Sequence, residues 1–167
     1  MDGQTASAPP IRVQVQREAF DIGAEQARLA ALSPRIGAIA AFTGLAREVE
    51  GGGPDQTLML EHWPGVTERA LETIAAEAAS RWPLDGLTII HRYGALAPGD
   101  GIVLVLAASR HRQAAFEAAM FMMDYLKTRA PFWKKEAGPE GDPKGGTWVD
   151  ARDSDDAAAA AWAQKPS

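Results

Sequence analysis

Apolar and polar residues alternate along 11–16 (IRVQVQ), the pattern of a strand with one buried face. Asp21 stands where it can cap a short helix over roughly 24–32. Residues 36–42 (IGAIAAF) are apolar enough for a buried strand. The TGLAREVEGGGPDQ that follows reads as a long flexible loop, with Arg47 among its glycines. Alternation returns at 57–63 (TLMLEHW), and Pro64-Gly65 breaks it. Leu71, Ile74, Ala75 and Ala78 then recur at helical spacing, predicting a helix of about 16 residues that ends at Trp82-Pro83. Residues 87–93 (LTIIHRY) predict a strand, GALAPGDG a turn, and 102–108 (IVLVLAA) the most apolar and central strand. The strongest helix covers roughly 113–129, with Ala115, Ala119, Met122, Met123 and Leu126 on one face and Pro131 closing it. PFWKKEA and 147–151 predict short strands around a GPEGDPKGGT loop, and 153–163 a short terminal helix. Helices and strands alternate imperfectly and several strands are joined by short turns. The fold class is therefore α+β, with a mostly antiparallel or mixed sheet.

The 167 residues suit one domain, placed at 11–163 behind a disordered N-terminal arm at 1–10. That arm, MDGQTASAPP, has neither the basic start nor the apolar stretch of a secretory signal. No apolar run approaches the roughly 18 residues of a membrane span. There are no cysteines. Disulfides, thiolate metal sites and a cysteine nucleophile are thereby excluded, and the composition fits a cytoplasmic setting. Any sulfur this chain handles has to arrive on another molecule. The net charge of −5 argues against a nucleic-acid partner, yet it is unevenly spread. Residues 110–135 hold six basic side chains (Arg110, Arg112, Lys127, Arg129, Lys134, Lys135) against Glu117 and Asp124, a local +4; the other 11 basic and 20 acidic residues give −9. Such a cationic island points to a small anion. The competing reading is a set of solvated helix-end charges.

His62, His91 and His111 lie on separate elements without the spacing of a metal site. No GxxxxGK[ST], GxGxxG or GxSxG motif occurs. The chemistry left is cationic. Ser109-Arg110-His111-Arg112 opens the long helix, where backbone N–H groups favour anions and basic side chains oppose the helix dipole unless an anion compensates. At the other end Lys127 sits in the last turn. It serves either as dipole compensation or, with Lys134 just beyond Pro131, as a group for proton transfer. Phe132 and Trp133 are placed to wall a pocket or to join the core.

The run MDYLKTRAPFWKKE resembles the signature of the large, catalytic subunits of molybdopterin synthase, the MoaE family. So do FTGLAR (42–47), LEHWPGVTERA (60–70), IIHRYGALAPGD (89–100) and SRHRQAAFEA (109–118), in order along the chain. The resemblance implies an α/β hammerhead fold with an additional antiparallel β subdomain. It implies a homodimer in which each copy receives the Gly-Gly tail of a small ubiquitin-like subunit, making a heterotetramer. That tail carries a thiocarboxylate whose sulfur goes to cyclic pyranopterin monophosphate (precursor Z), giving the dithiolene of molybdopterin. No metal or cofactor is implied at this step. By matching motif, Lys127 and Lys134 are the catalytic residues. Arg47, Leu45, Ala46, His111, Arg112, Lys135, Glu136, Phe42 and Met123 bind substrate. The sequence departs from the family at Leu45, where a basic residue is common, at Ala46, where valine is, and at PKGG (143–146), which resembles an insertion. The alternative function is a non-catalytic adaptor that captures a ubiquitin-like tail.

Overall fold

A computed structural model describes residues 7–48, 56–136, 147–149 and 153–165, with the backbone alone at 135, 136, 147–149 and 153. The glycine run at 51–53, the PKGG segment and the first six residues of the N-terminal arm lie outside the described residues. In chain order the elements are β1 (Ile11–Gln16), α1 (Ile22–Ala30), β2 (Ala38–Leu45), β3 (Leu58–His62), α2 (Val66–Arg81) and β4 (Gly86–Arg92). There follow β5 (Gly94–Leu96), β6 (Gly101–Ser109), α3 (Arg112–Arg129), β7 (Phe132–Glu136), β8 (Thr147–Val149) and α4 (Asp153–Ala163).

The larger sheet has the order β1-β4-β6-β2. β1 and β4 run parallel, and the other two pairings are antiparallel. β4 and β6 are continuous apolar runs because both of their faces are covered. Leu87, Ile89, Val103, Val105 and Ala107 point into a core shared with α2, α3 and α4. Ile90, Leu104, Leu106 and Ala108 point to the opposite face, onto Leu29 of α1. The expected central strand is thus central, and the mixed sheet of an α+β fold is found. Asp21 caps α1 as its position predicts, accepting from Ala24 N at 2.9 Å.

The smaller sheet, β5-β3-β7-β8, is antiparallel throughout. Its own core is Ala46, Leu60 and Leu96. Two boundaries differ from the sequence reading. β2 starts at Ala38 and runs on through Gly44 and Leu45, with a register shift between them, into what reads as loop. β5 forms within the expected turn because Leu58–Leu60 supplies its ladder partners. The Pro64-Gly65 break becomes the start of α2: Gly65 has φ +79°, and its N–H donates to Glu68 Oε2 at 2.6 Å.

Candidate active site

α3 leaves the end of β6 and packs back across β6 and β2. Its interior face carries Ala115, Ala119, Met122, Met123 and Leu126, all buried. That packing leaves Lys127 half exposed in the last turn. The chain then turns through Ala130 and Pro131 into β7, which carries Lys134 on an exposed position. The turn is pinned from α2. Buried Thr67 donates its hydroxyl to Pro131 O at 3.0 Å and accepts from Trp63 N at 3.0 Å. Phe132 N donates to Ala130 O at 2.9 Å. Lys127 and Lys134 therefore flank one fixed turn. The side chains of Lys135 and Glu136 lie outside the described residues.

Phe132 rests on His91, a buried residue of β4. His91 Nδ1 lies 2.8 Å from the Arg92 carbonyl, which can only accept, so the neutral ring carries its proton there. Burial pulls this imidazole down to about 4; the charges of Lys134 and His62 push the same way and the hydrogen bond opposes them. His91 is thus uncharged at neutral pH.

Arg47 follows β2 on an exposed stretch whose root is locked. Ala46 N donates to Asp100 O at 2.8 Å, and Gly99 N donates to Ala46 O at 2.7 Å. Gly99 takes φ +91° in that turn. Ala46 itself is buried, so it anchors the Arg47 backbone from below. Leu45, 58% exposed, lines a hollow of about 140 Å³ with Phe20, Ile22, Thr43 and Arg92. Phe42 stands at the exposed edge of β2, on the same face as Ala38 and Ala40 beneath the helices. Met123 is buried on α3.

The remaining pair lies elsewhere. His111 is the N-cap of α3 without a side-chain capping bond, and no acidic residue occupies the first turn. Gly37 lets the chain pass against the Arg110 carbonyl, where a Cβ would collide. Arg110, His111 and Arg112 are all exposed at this positive helix end. Among the described residues, their side chains and that of Arg47 make no ion pair or hydrogen bond. Arg112 and Lys127 are fifteen residues, about 22 Å, apart along α3. One copy of the chain therefore has two cationic ends and does not bring His111 and Arg112 to the Lys127–Lys134 turn. Of the other basic residues in the island, Arg129 is engaged structurally, 3.2 Å from Glu77 and over the Tyr125 ring.

Two residues near the turn have no sequence signal for the site: His91, whose burial follows only from sheet pairing, and Asp155, which lies 3.7 Å from Lys127 Nζ. Among the described residues no group of three or more His, Asp or Glu side chains is placed to hold a metal ion. Nor is any helix there long and apolar enough to cross a membrane.

Residues 15–129 match the family model described as MoaE protein. A molybdopterin synthase catalytic subunit from Mesorhizobium japonicum is 53% identical over 155 residues, covering 93% of this chain and 94% of that protein. The molybdopterin biosynthesis MoaE protein from Burkholderia ambifaria superposes with a TM-score of 0.78 at 48% identity, covering 93% of this chain and 99% of the other. Molybdopterin synthase from Staphylococcus aureus gives 0.71 at 30% identity, covering 81% and 95%. The pinned turn and the fold that carries it thus occur in a chain that belongs to the MoaE family, the catalytic subunits of molybdopterin synthase, enzymes of molybdenum cofactor biosynthesis.

Proposed function

We propose that this chain moves sulfur from the thiocarboxylated C-terminus of a small ubiquitin-like subunit to cyclic pyranopterin monophosphate, in the cytoplasm. The observation that carries the reading is the turn fixed by Thr67 with Lys127 on one side and Lys134 on the other, in a chain that has no thiol of its own. The name catalytic subunit, borne by the Mesorhizobium relative, itself implies a second subunit. Exposed Trp63, Trp133 and Leu45 offer that partner apolar surface.

The thiocarboxylate sulfur attacks a side-chain carbon of the pterin, and the C–S bond forms as that carbon's C–O bond breaks. In one transfer the displaced oxygen leaves as water; in the other it stays on the phosphate as the ring opens. Water then cleaves the acyl–sulfur bond. The sulfur stays on the pterin and the tail leaves as a carboxylate. A second tail repeats the transfer, and the cyclic phosphate opens. Lys127 transfers the proton or steadies the charge that develops at the acyl carbon. Lys134 and Arg47, with Lys135 and Glu136, hold the phosphate and the tail. Leu45, Phe42 and Met123 shape the apolar side of the pocket, and Ala46 fixes the Arg47 loop.

His111 and Arg112 join the site from a second copy. Their distance from Lys127 within one copy supports a homodimer. So do Phe116 and Met120, one helical turn apart on α3 and 64% and 61% exposed.

The test is direct. Purified chain is mixed with thiocarboxylated small subunit and precursor, and molybdopterin is measured. A stable complex with no molybdopterin would favour the adaptor reading and end this one.

A further inference from the structure

Lys127 meets a carboxylate that the transfer above does not use. Its Nζ lies 3.7 Å from Asp155 Oδ1, with the lysine side chain 50% exposed and the aspartate 24%. Asp155 is in the first turn of α4, where the helix dipole favours negative charge, and Lys127 is in the last turn of α3. The two helices pack antiparallel, as their contacts require. Asp155 reaches Lys127, while Trp162, farther along α4, reaches Asp124, one turn earlier on α3.

Asp155, Ala158, Ala159 and Trp162 follow i, i+3, i+4, i+7 spacing and share one face of α4. The far end of that face is held firmly. Trp162 is 5% exposed, its Nε1 donates to Asp124 Oδ2 at 2.6 Å, and its carbonyl accepts from Arg81 Nη1 at 3.0 Å. It also packs edge-on against Trp82 and Phe121. Asp155 is therefore a short side chain on an anchored helix, facing a lysine on a long flexible stem. An exposed ion pair adds little stability, and Trp162 already fastens α4. What the pair does provide is a counter-charge on an anchored helix, 3.7 Å from the ammonium.

Resting on the sulfur-transfer reading of Lys127, we infer that Asp155 is a positioning residue. It holds the Lys127 ammonium beside the pinned turn and balances its charge until the anionic substrate and tail arrive, when the lysine changes partner. Asp155 itself touches neither.

The experiment uses the full chain, thiocarboxylated small subunit and pyranopterin precursor. Asp155→Asn keeps the shape and removes the charge. It is expected to slow single turnover by roughly ten- to a hundredfold, the range for a misplaced reacting group, while KM for the precursor changes less than about threefold. Asp155→Glu restores the charge and should recover most of the rate. Asp156→Asn, an exposed neighbour, should match wild type. In a Lys127→Ala background, Asp155→Asn should have no further effect. Three results overturn the inference: Asp155→Asn at the wild-type rate, no recovery in a folded Asp155→Glu, or added loss without Lys127. The two readings fail differently. An active Lys127→Ala ends both, whereas an inactive Lys127→Ala beside a fully active Asp155→Asn ends this one alone.

Discussion

The His91 imidazole lies flat on the Phe132 ring, 3.6 Å between centroids and 18° between planes. This contact joins the two sheets at the point that matters. His91 is in β4 of the larger sheet, and Phe132 begins β7 of the smaller one, between Pro131 and Lys134. A charged imidazole would be out of place there. Burial already disfavours its charge, and Lys134 adds a second positive group nearby.

Stability should therefore depend on pH through His91. Its folded value, about 4, lies below the ordinary 6.5, so the unfolded chain takes the proton more readily. The stabilisation is complete above about pH 6.5 and is lost as pH falls through the window down to about 4. Between about pH 7.5 and pH 5 the loss amounts to about 2 kcal/mol. His91→Phe, which keeps a ring on Phe132, should flatten urea-denaturation stability across that window. Parallel curves for variant and wild type would contradict the assignment.

Trp162 should account for the docking of α4. Trp162→Ala removes a buried ring from the Trp82–Phe121 cluster and should cost about 3–5 kcal/mol of unfolding free energy. Trp162→Phe keeps most of the packing but leaves the Asp124 carboxylate without its donor, and should cost about 1–3 kcal/mol. A Trp162→Ala loss below about 1 kcal/mol would mean that α4 is held by something else.

Much of this architecture is legible in the sequence. Period and punctuation place β1, β3, β4, β6, α2 and α3 within a few residues, because each buries a face that its pattern declares. Pairing is not legible. The split into two sheets depends on contacts such as Leu60 with Gly94 and Lys134, far apart in the chain. β5 is hidden because it is only three residues long and runs almost directly into Pro98-Gly99-Asp100-Gly101, and only the β3 ladder makes it a strand. The Asp155–Lys127 pair is likewise invisible, since no spacing rule links a helix end to another across a loop. One relationship was available from the sequence alone: a helix over 113–129 already separates His111 and Arg112 from Lys127 by its own length.

Lys127 separates charge from proton transfer. Arginine compensates a helix C-terminus about as well as lysine, but it stays protonated and its planar fork sits differently. Lys127→Ala and Lys127→Arg should both fold and bind the small subunit, and both should lose roughly 10²–10⁴ in single-turnover rate. Lys134→Ala should raise KM for the precursor more than it lowers kcat. A fast Lys127→Arg would leave charge as the only role of this residue; a fast Lys127→Ala would leave it a helix cap.

Mixing two inactive variants should restore activity. If Arg112 serves the Lys127 of the other copy, Lys127→Ala and Arg112→Ala homodimers are each defective in both sites. After exchange, a mixed dimer has one site carrying both substitutions and one carrying neither. Random reassortment makes about half of the dimers mixed, each with one of its two sites intact, so about a quarter of wild-type turnover should return. If Arg112 acted within its own copy, each site in the mixed dimer would still carry one substitution, and activity would stay at the average of the parents. The fifteen-residue separation along α3 predicts recovery. The measurement is molybdopterin formation before and after subunit exchange, with light scattering to show that dimers are present. Dimers without recovery would mean that Arg112 acts within its own copy, and an Arg112→Ala homodimer with the wild-type rate would put Arg112 outside the site.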